Sequence, residues 1–202
     1  GTPKGEAAFG GPQWRQLFQH VCAEADRLGL EVNMNNDAGW CGSGGPWITP
    51  DLAMQKVVAT ETNILGPRRF EVTLAQPETV ANYYRDIAVL AFPTPRDNAT
   101  RIKDIKPKAG YEARYGQQPD LTPIGPAAVI SRGAMVDVTT KLQADGRLNW
   151  SVPAGEWTIL RIGYTLTGAV NAPAPESGRG LECDKLSRAA MDQHWAGMMG
   201  PV

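Results

Sequence analysis

The sequence predicts a mixed α+β fold in which an antiparallel β-sandwich-like domain interrupts an α/β domain. Three observations carry this. The first residues run helix, glycine, short alternating segment, which is half of a repeating α/β unit. The middle breaks into short alternating runs punctuated by Gly and Pro, as antiparallel sheets do. The last stretch returns to a helical pattern. The predicted division is residues 1–56 as an N-terminal α/β fragment, 57–179 as the inserted sheet domain, and 180–202 as a return segment with its helix.

The elements follow in order. Leu17, Phe18, Val21, Cys22, Ala25 and Leu28 fall on one face at helical spacing. Pro12 suits the first helical turn, where its missing N–H costs nothing. Gly29 can take the left-handed conformation that closes a helix. Leu30, Val32 and Met34 then alternate with Glu31 and Asn33, as in a short strand. Thr49 and Pro50 make a helix start, and Leu52, Ala53, Met54 and Val57 give that short helix an apolar side. Residues 58–64 and 69–74 read as strands separated by Gly66-Pro67. Ile87, Val89 and Phe92 mark a further strand closed by Pro93 and Pro95. Residues 96–126 are polar and rich in Pro and Gly, a long surface excursion or a flexible segment. Short strand candidates follow at 127–130 and 135–138. Asp145-Gly146 signals a turn before Leu148 and Trp150, and residues 157–164 alternate as a strand behind Pro153-Ala154-Gly155. Residues 186–199 read as a helix with Leu186, Ala190, Trp195 and Met198 on its buried side, capped by Asp184 or Ser187.

Composition excludes several classes. A hydrophobic content of 42% with 20% charged residues belongs to a folded chain. A net charge of -1 leaves no basic stripe for nucleic acid. No apolar run approaches the roughly 20 residues that cross a bilayer. The three cysteines, Cys22, Cys41 and Cys183, match no zinc spacing and cannot all pair. Gly42-Ser43-Gly44-Gly45 lacks the lysine of a phosphate-binding loop. No Gly-x-Ser-x-Gly elbow supports a serine nucleophile. His20 and His194 stand apart from any metal motif and read as ordinary helix residues.

Two segments can carry chemistry. The first holds Asn33, Asn35, Asn36, Asp37, Trp40 and Trp47, directly after the predicted strand, at the strand end where α/β folds place ligand loops. Sugars present hydroxyls around weakly apolar ring faces. Amides and carboxylates bond the hydroxyls, and indole covers the face. The same residues also suit a turn-rich loop whose tryptophans plug a core. The second is Gly178-Arg179-Gly180-Leu181-Glu182-Cys183-Asp184. Glu182 and Asp184 share a face if extended. Paired carboxylates serve glycoside hydrolysis or hold a hard cation. Alternatively, Asp184 caps the next helix and Glu182 pairs with Arg179. Tyr83, Tyr84, Arg85 and Asp86 fit a cleft wall or, alternatively, a domain junction or a strand edge.

Several blocks together resemble glycoside hydrolase family 106, the α-L-rhamnosidase family. They are Ala25-Asp26-Arg27-Leu28-Gly29-Leu30-Glu31, Asn33-Met34-Asn35-Asn36 through Trp40, Ser43-Gly44-Gly45-Pro46-Trp47-Ile48-Thr49-Pro50, Tyr84-Arg85-Asp86-Ile87-Ala88-Val89, and Asn171-Ala172-Pro173-Ala174-Pro175 through Leu186. The resemblance implies a multidomain bacterial enzyme, periplasmic or secreted, that hydrolyses terminal rhamnosides with inversion and holds Ca2+ near its substrate. It implies a (β/α)8 catalytic barrel with a β-sandwich insertion. Such a barrel takes about 250 residues, so this chain would contain only part of one. The principal acid and base are then expected outside the chain, and the isolated segment is expected to be inactive. Asn35, Asn36, Asp37, Trp40, Trp47, Glu182 and Asp184 are the expected substrate-binding set. The expected partners are a rhamnose-containing glycan and the remaining domains of the parent, with neither nucleic acid nor membrane among them. The alternative is a non-catalytic carbohydrate-binding or structural β-sandwich module.

Overall fold

A computed structural model describes residues 5–35, 43–108 and 118–202. The chain forms two compact units. One comprises Gly1–Gln55, Thr79–Tyr83 and Leu166–Val202; the other comprises Lys56–Glu78 and Tyr84–Thr165. The fold is mixed α+β, with a few helices and one four-stranded sheet among the described residues.

In the first unit, helix α1 spans Pro12–Leu28, with proline in its first turn. Gly29 closes it at φ 71°, and the Gly29 and Leu30 amides return to the carbonyls of Asp26 and Ala25. The face predicted to be buried is not. Ala25 alone is buried, while Leu17, Val21 and Leu28 are exposed. An apolar stripe is covered only where a second element is present to receive it. The helix start instead packs locally, with Trp14 stacked on Phe18 at 5.4 Å and Phe9 tilted against Trp14. Residues 30–35 form no strand. Their alternation was suited to a ladder, but a strand exists only with a partner for its N–H and C=O groups. The predicted helix after Thr49 shrinks to a 3-10 turn, Pro50–Leu52. The chain then straightens, because Ala53 pairs with Cys183.

The second unit holds the sheet. Strand β1 spans Gln55–Thr73, β2 Arg85–Pro93, β3 Val136–Asp137 and β4 Arg147–Leu166, in the order β1-β4-β2-β3. The two strands predicted at 58–64 and 69–74 are one run. Strand β2 lies antiparallel to β4, with Ala91 opposite Ile159, and antiparallel to β3, with Leu90 opposite Asp137. Ahead of β3 lies a one-turn helix α2, Ile105–Lys108, and the candidate strand at 127–130 is instead a 3-10 turn, Pro126–Ala128. Pro126 has no N–H to give a ladder.

Strand β4 shows how the sheet wraps its core. Leu148, Trp150 and Val152 are buried in its first arm; Trp157, Ile159 and Arg161 in its second. The buried parity switches from even to odd across the exposed residues 153–156, where Gly155 has φ 104°. One extra residue at that bend lets both arms face the same interior. Trp150 and Trp157 then meet edge to face at 5.4 Å. Ile64, Phe70, Leu74, Val89, Ala91 and Val138 complete the core.

Tyr84, Asp86 and Arg161 close one part of this unit. Both carboxylate oxygens of Asp86 accept from Arg161, Nε and Nη2 each at 2.8 Å. Arg161 Nη1 donates to the Leu74 carbonyl at 3.0 Å. The Tyr84 hydroxyl donates to Asp86 at 2.8 Å. The Arg161 hydrogen bonds hold the Asp86 carboxyl below its ordinary range. Burial, with help from Asp86, pushes the Tyr84 phenol up to about 12. Tyr84, Asp86 and Arg161 thus form a clamp within the sheet-bearing unit.

Candidate functional site

The first unit is organised around residues 180–184. One side of this segment meets residues 169–171. Glu182 N–H donates to the Ala169 carbonyl at 3.0 Å, and Asn171 N–H donates to Gly180 at 3.1 Å. The segment also meets residues 52–54. Asp184 N–H donates to Leu52 at 2.8 Å, and Met54 N–H donates to Glu182 at 3.0 Å. Gly45 adds a further pairing, its N–H donating to the Leu181 carbonyl at 3.1 Å. The end of the Asn- and Trp-rich loop and the Glu182 segment, distant in sequence, are therefore neighbours. Ile48, Ala53, Leu166, Cys183 and Ala190 form the core beneath, with Trp47 and Leu181 packed against it.

Glu182 is buried, and its Oε2 lies 3.3 Å from Lys185 Nζ. Its partner is Lys185 rather than the expected Arg179, because one turn into the loop brings i+3 close. Asp184 Oδ1 accepts from the Leu186 amide at 3.0 Å and so shapes the turn into helix α3. That helix spans Arg188–Met198, and Ser187 is its cap, accepting from the Ala190 amide. Its buried row is Ala190, His194 and Met198. Leu186 and Trp195, predicted to be inside, are 99% and 60% exposed. Positions four apart share a helix row, and the row that starts at Ala190 passes through the histidine.

Trp47 is gripped from several directions. Its indole N–H donates to His194 Nδ1 at 3.1 Å, and the Gly44 amide donates to the same nitrogen at 3.2 Å. Gln193 Nε2 reaches the Trp47 carbonyl at 3.4 Å. A methyl group on Gly197 would sit 2.2 Å from Trp47 Cγ, and one on Gly45 would sit 2.4 Å from Cζ2. Both positions thus need glycine for close approach to the ring. Asn171 is fully buried. Its Oδ1 accepts from Gly180 N–H and its Nδ2 donates to the Gly178 carbonyl, both at 2.8 Å. The residues between are thereby pinned as one loop.

The alpha-L-rhamnosidase model of glycoside hydrolase family 106 matches residues 2–202. The chain belongs to this family. A protein from Formosa agariphila named "Putative beta-glucuronidase" is 44% identical over 203 residues, covering 100% of this chain but 17% of the relative. A rhamnosidase from Novosphingobium sp. PP1Y has the same fold over 96% of this chain and 32% of its own, with a TM-score of 0.67 and 21% identity. This family 106 chain thus spans a minor part of either protein.

Of the expected set, Trp47, Glu182 and Asp184 lie in or against the segments just described. Asn35 is exposed at the end of residues 30–35. Asn36, Asp37 and Trp40 lie outside the described residues. Among the described residues, no three His, Cys, Asp or Glu side chains stand where one ion could be shared. Among them, too, no helix is long and apolar enough to cross a membrane. Sequence reasoning read His194 as an ordinary helix residue, gave Gly45 and Asn171 no role beyond their place in the family blocks, and did not single out Gly197. The available signal for His194 was its i, i+4, i+8 row with Ala190 and Met198.

Proposed function

We propose that this chain is a segment of an inverting α-L-rhamnosidase-like glycoside hydrolase, acting on a plant or microbial polysaccharide in the periplasm or outside a bacterial cell. The observation that carries the reading is the Gly45–Leu181 pairing, which sets the end of the amide- and indole-rich loop beside the Glu182 segment. Membership of family 106 supplies the reaction class. In this reading Asn35, Asn36, Asp37 and Trp40 contribute to sugar binding, Glu182 and Asp184 line or hold the site, and Trp47 anchors its loop. Inversion needs an acid and a base roughly 6.5–9.5 Å apart, on opposite sides of the anomeric carbon. Both come from the remainder of the parent barrel. That remainder also covers the exposed stripe of α1 and partners residues 30–35. The sheet-bearing unit is the inserted sandwich-like domain.

The name of the Formosa agariphila relative favours a second substrate, a glucuronide. The two sugars differ in ring configuration, L-manno against D-gluco, and at C6, which is a methyl group in rhamnose and a carboxylate in glucuronic acid. Full-length parent enzyme assayed on aryl α-L-rhamnosides and aryl β-D-glucuronides separates them. The expected result is rhamnoside hydrolysis, with NMR of the first-formed sugar showing the β anomer. Release from the glucuronide alone would replace rhamnose with a uronic acid. No release from a broad glycoside panel, with calorimetric binding of glycan by this chain, would make it a binding module.

A further inference from the structure

We infer that His194 is a positioning residue, held as the neutral Nε2–H tautomer, whose Nδ1 fixes the arm carrying Gly44 and Trp47. Two N–H groups from different parts of that arm converge on this one nitrogen, at 3.2 and 3.1 Å. A ring nitrogen can receive donors only when it carries no proton, so the proton of the neutral ring is on Nε2. An imidazolium, or the other tautomer, would set a third N–H against two donors. His194 is fully buried, so no water replaces the lost acceptor.

The surroundings show that one geometry is selected. The Trp47 ring passes so close to Gly45 and Gly197 that neither position has room for a methyl group. Gln193, on the same helix, holds the Trp47 carbonyl. The arm itself is paired to Leu181 through Gly45. Helix α3 therefore acts as a template, with His194 as the acceptor that the arm docks onto. On this reading Trp47 serves as the anchor of the arm. Its polar edge is committed to His194, and its ring is the key by which the arm is registered against the helix. This part of the inference deepens the glycosidase reading and rests on it; the tautomer and the docking do not.

The test has two arms. In the 202-residue chain, long-range nitrogen–proton correlation NMR reads both ring nitrogens of His194. The expected spectrum shows an unprotonated Nδ1 and a protonated Nε2, with the Trp47 indole and Gly44 amide protons shifted downfield by their hydrogen bonds. A protonated Nδ1, or a ring exchanging between tautomers, overturns the inference without any substitution. His194→Asn keeps an acceptor near the Nδ1 position, and His194→Leu removes it. The asparagine variant should retain the Trp47 and Gly44 shifts and the leucine variant should lose them; equal spectra from both overturn the docking role. In full-length parent enzyme, the leucine variant should raise KM at least tenfold with a smaller change in kcat, and the asparagine variant should restore it. Unchanged KM in both removes the link to sugar binding. An unsubstituted parent without glycosidase activity refutes the proposed function and this link together, and leaves the NMR result to judge the histidine.

Discussion

Replacing Asp86 by alanine should destabilise the sheet-bearing unit by about 2–3 kcal/mol at neutral pH. The substitution leaves the Arg161 side chain, 7% exposed, without either of its two carboxylate contacts. Breaking a fully buried pair costs about 3–5 kcal/mol. The Asp86 side is 34% exposed, so water partly compensates the stranded guanidinium and the cost falls toward the lower figure. The Tyr84 hydroxyl loses its acceptor as well. Each kcal/mol is worth about 4–8 °C in a domain of roughly 100 residues, so the thermal midpoint should drop by roughly 10 °C or more. Circular dichroism and tryptophan fluorescence, to which the Trp150–Trp157 pair contributes, follow the transition.

The pH dependence identifies the cause. The folded-state pKa of Asp86 is depressed, so the clamp's contribution is fully present above the unfolded aspartate value of about 4. It fades as pH falls through the folded value. The difference between the unsubstituted chain and Asp86→Ala should therefore be largest at neutral pH and shrink in strong acid. Asp97, Asp120 and Asp137 are also depressed, but they are common to both proteins and cancel in the difference. At the alkaline end the sign reverses. The Tyr84 pKa is raised to about 12, so its contribution is present below about 10 and is lost as pH rises toward 12. Replacing the pair together, Asp86→Leu with Arg161→Met, should cost far less than Asp86→Ala alone, because no charge is stranded. A single variant that melts with the unsubstituted chain at neutral pH, or whose deficit persists unchanged in strong acid, would refute the reasoning.

Two further predictions concern the first unit. Gly197→Ala should destabilise by about 1–3 kcal/mol through overpacking against Trp47, measured by urea denaturation; Gly125→Ala, with open space around it, is the matched control. Asn171→Ala should cost about 1–3 kcal/mol for each buried group left unpaired, and hydrogen exchange should show the Gly180 amide losing protection while that of Ala190 in α3 is kept.

Sequence alone determined the elements whose causes are local. Helix α1 begins at a proline and ends at a glycine because those residues have few other choices, and both ends were legible. Strand β2 was legible from its apolar run and the prolines that close it, and the second arm of β4 from its alternation, although β4 runs on through residues 153–155, where the sequence predicts a turn. So was the family, because its blocks are distributed along the whole chain. Tertiary structure decided whatever depends on a partner. Residues 30–35 have a strand's pattern without a strand's neighbour among the described residues. The stripe on α1 has the right spacing, and no described residues cover it. The phase of α3 was misread because its buried row runs through a histidine, and a polar residue is at home inside once two donors meet it. Hydrogen bonding between distant segments is not encoded in periodicity. Only folding brought Gly44, Trp47 and His194 together, and only that meeting turned an ordinary helix residue into the acceptor on which the arm is hung.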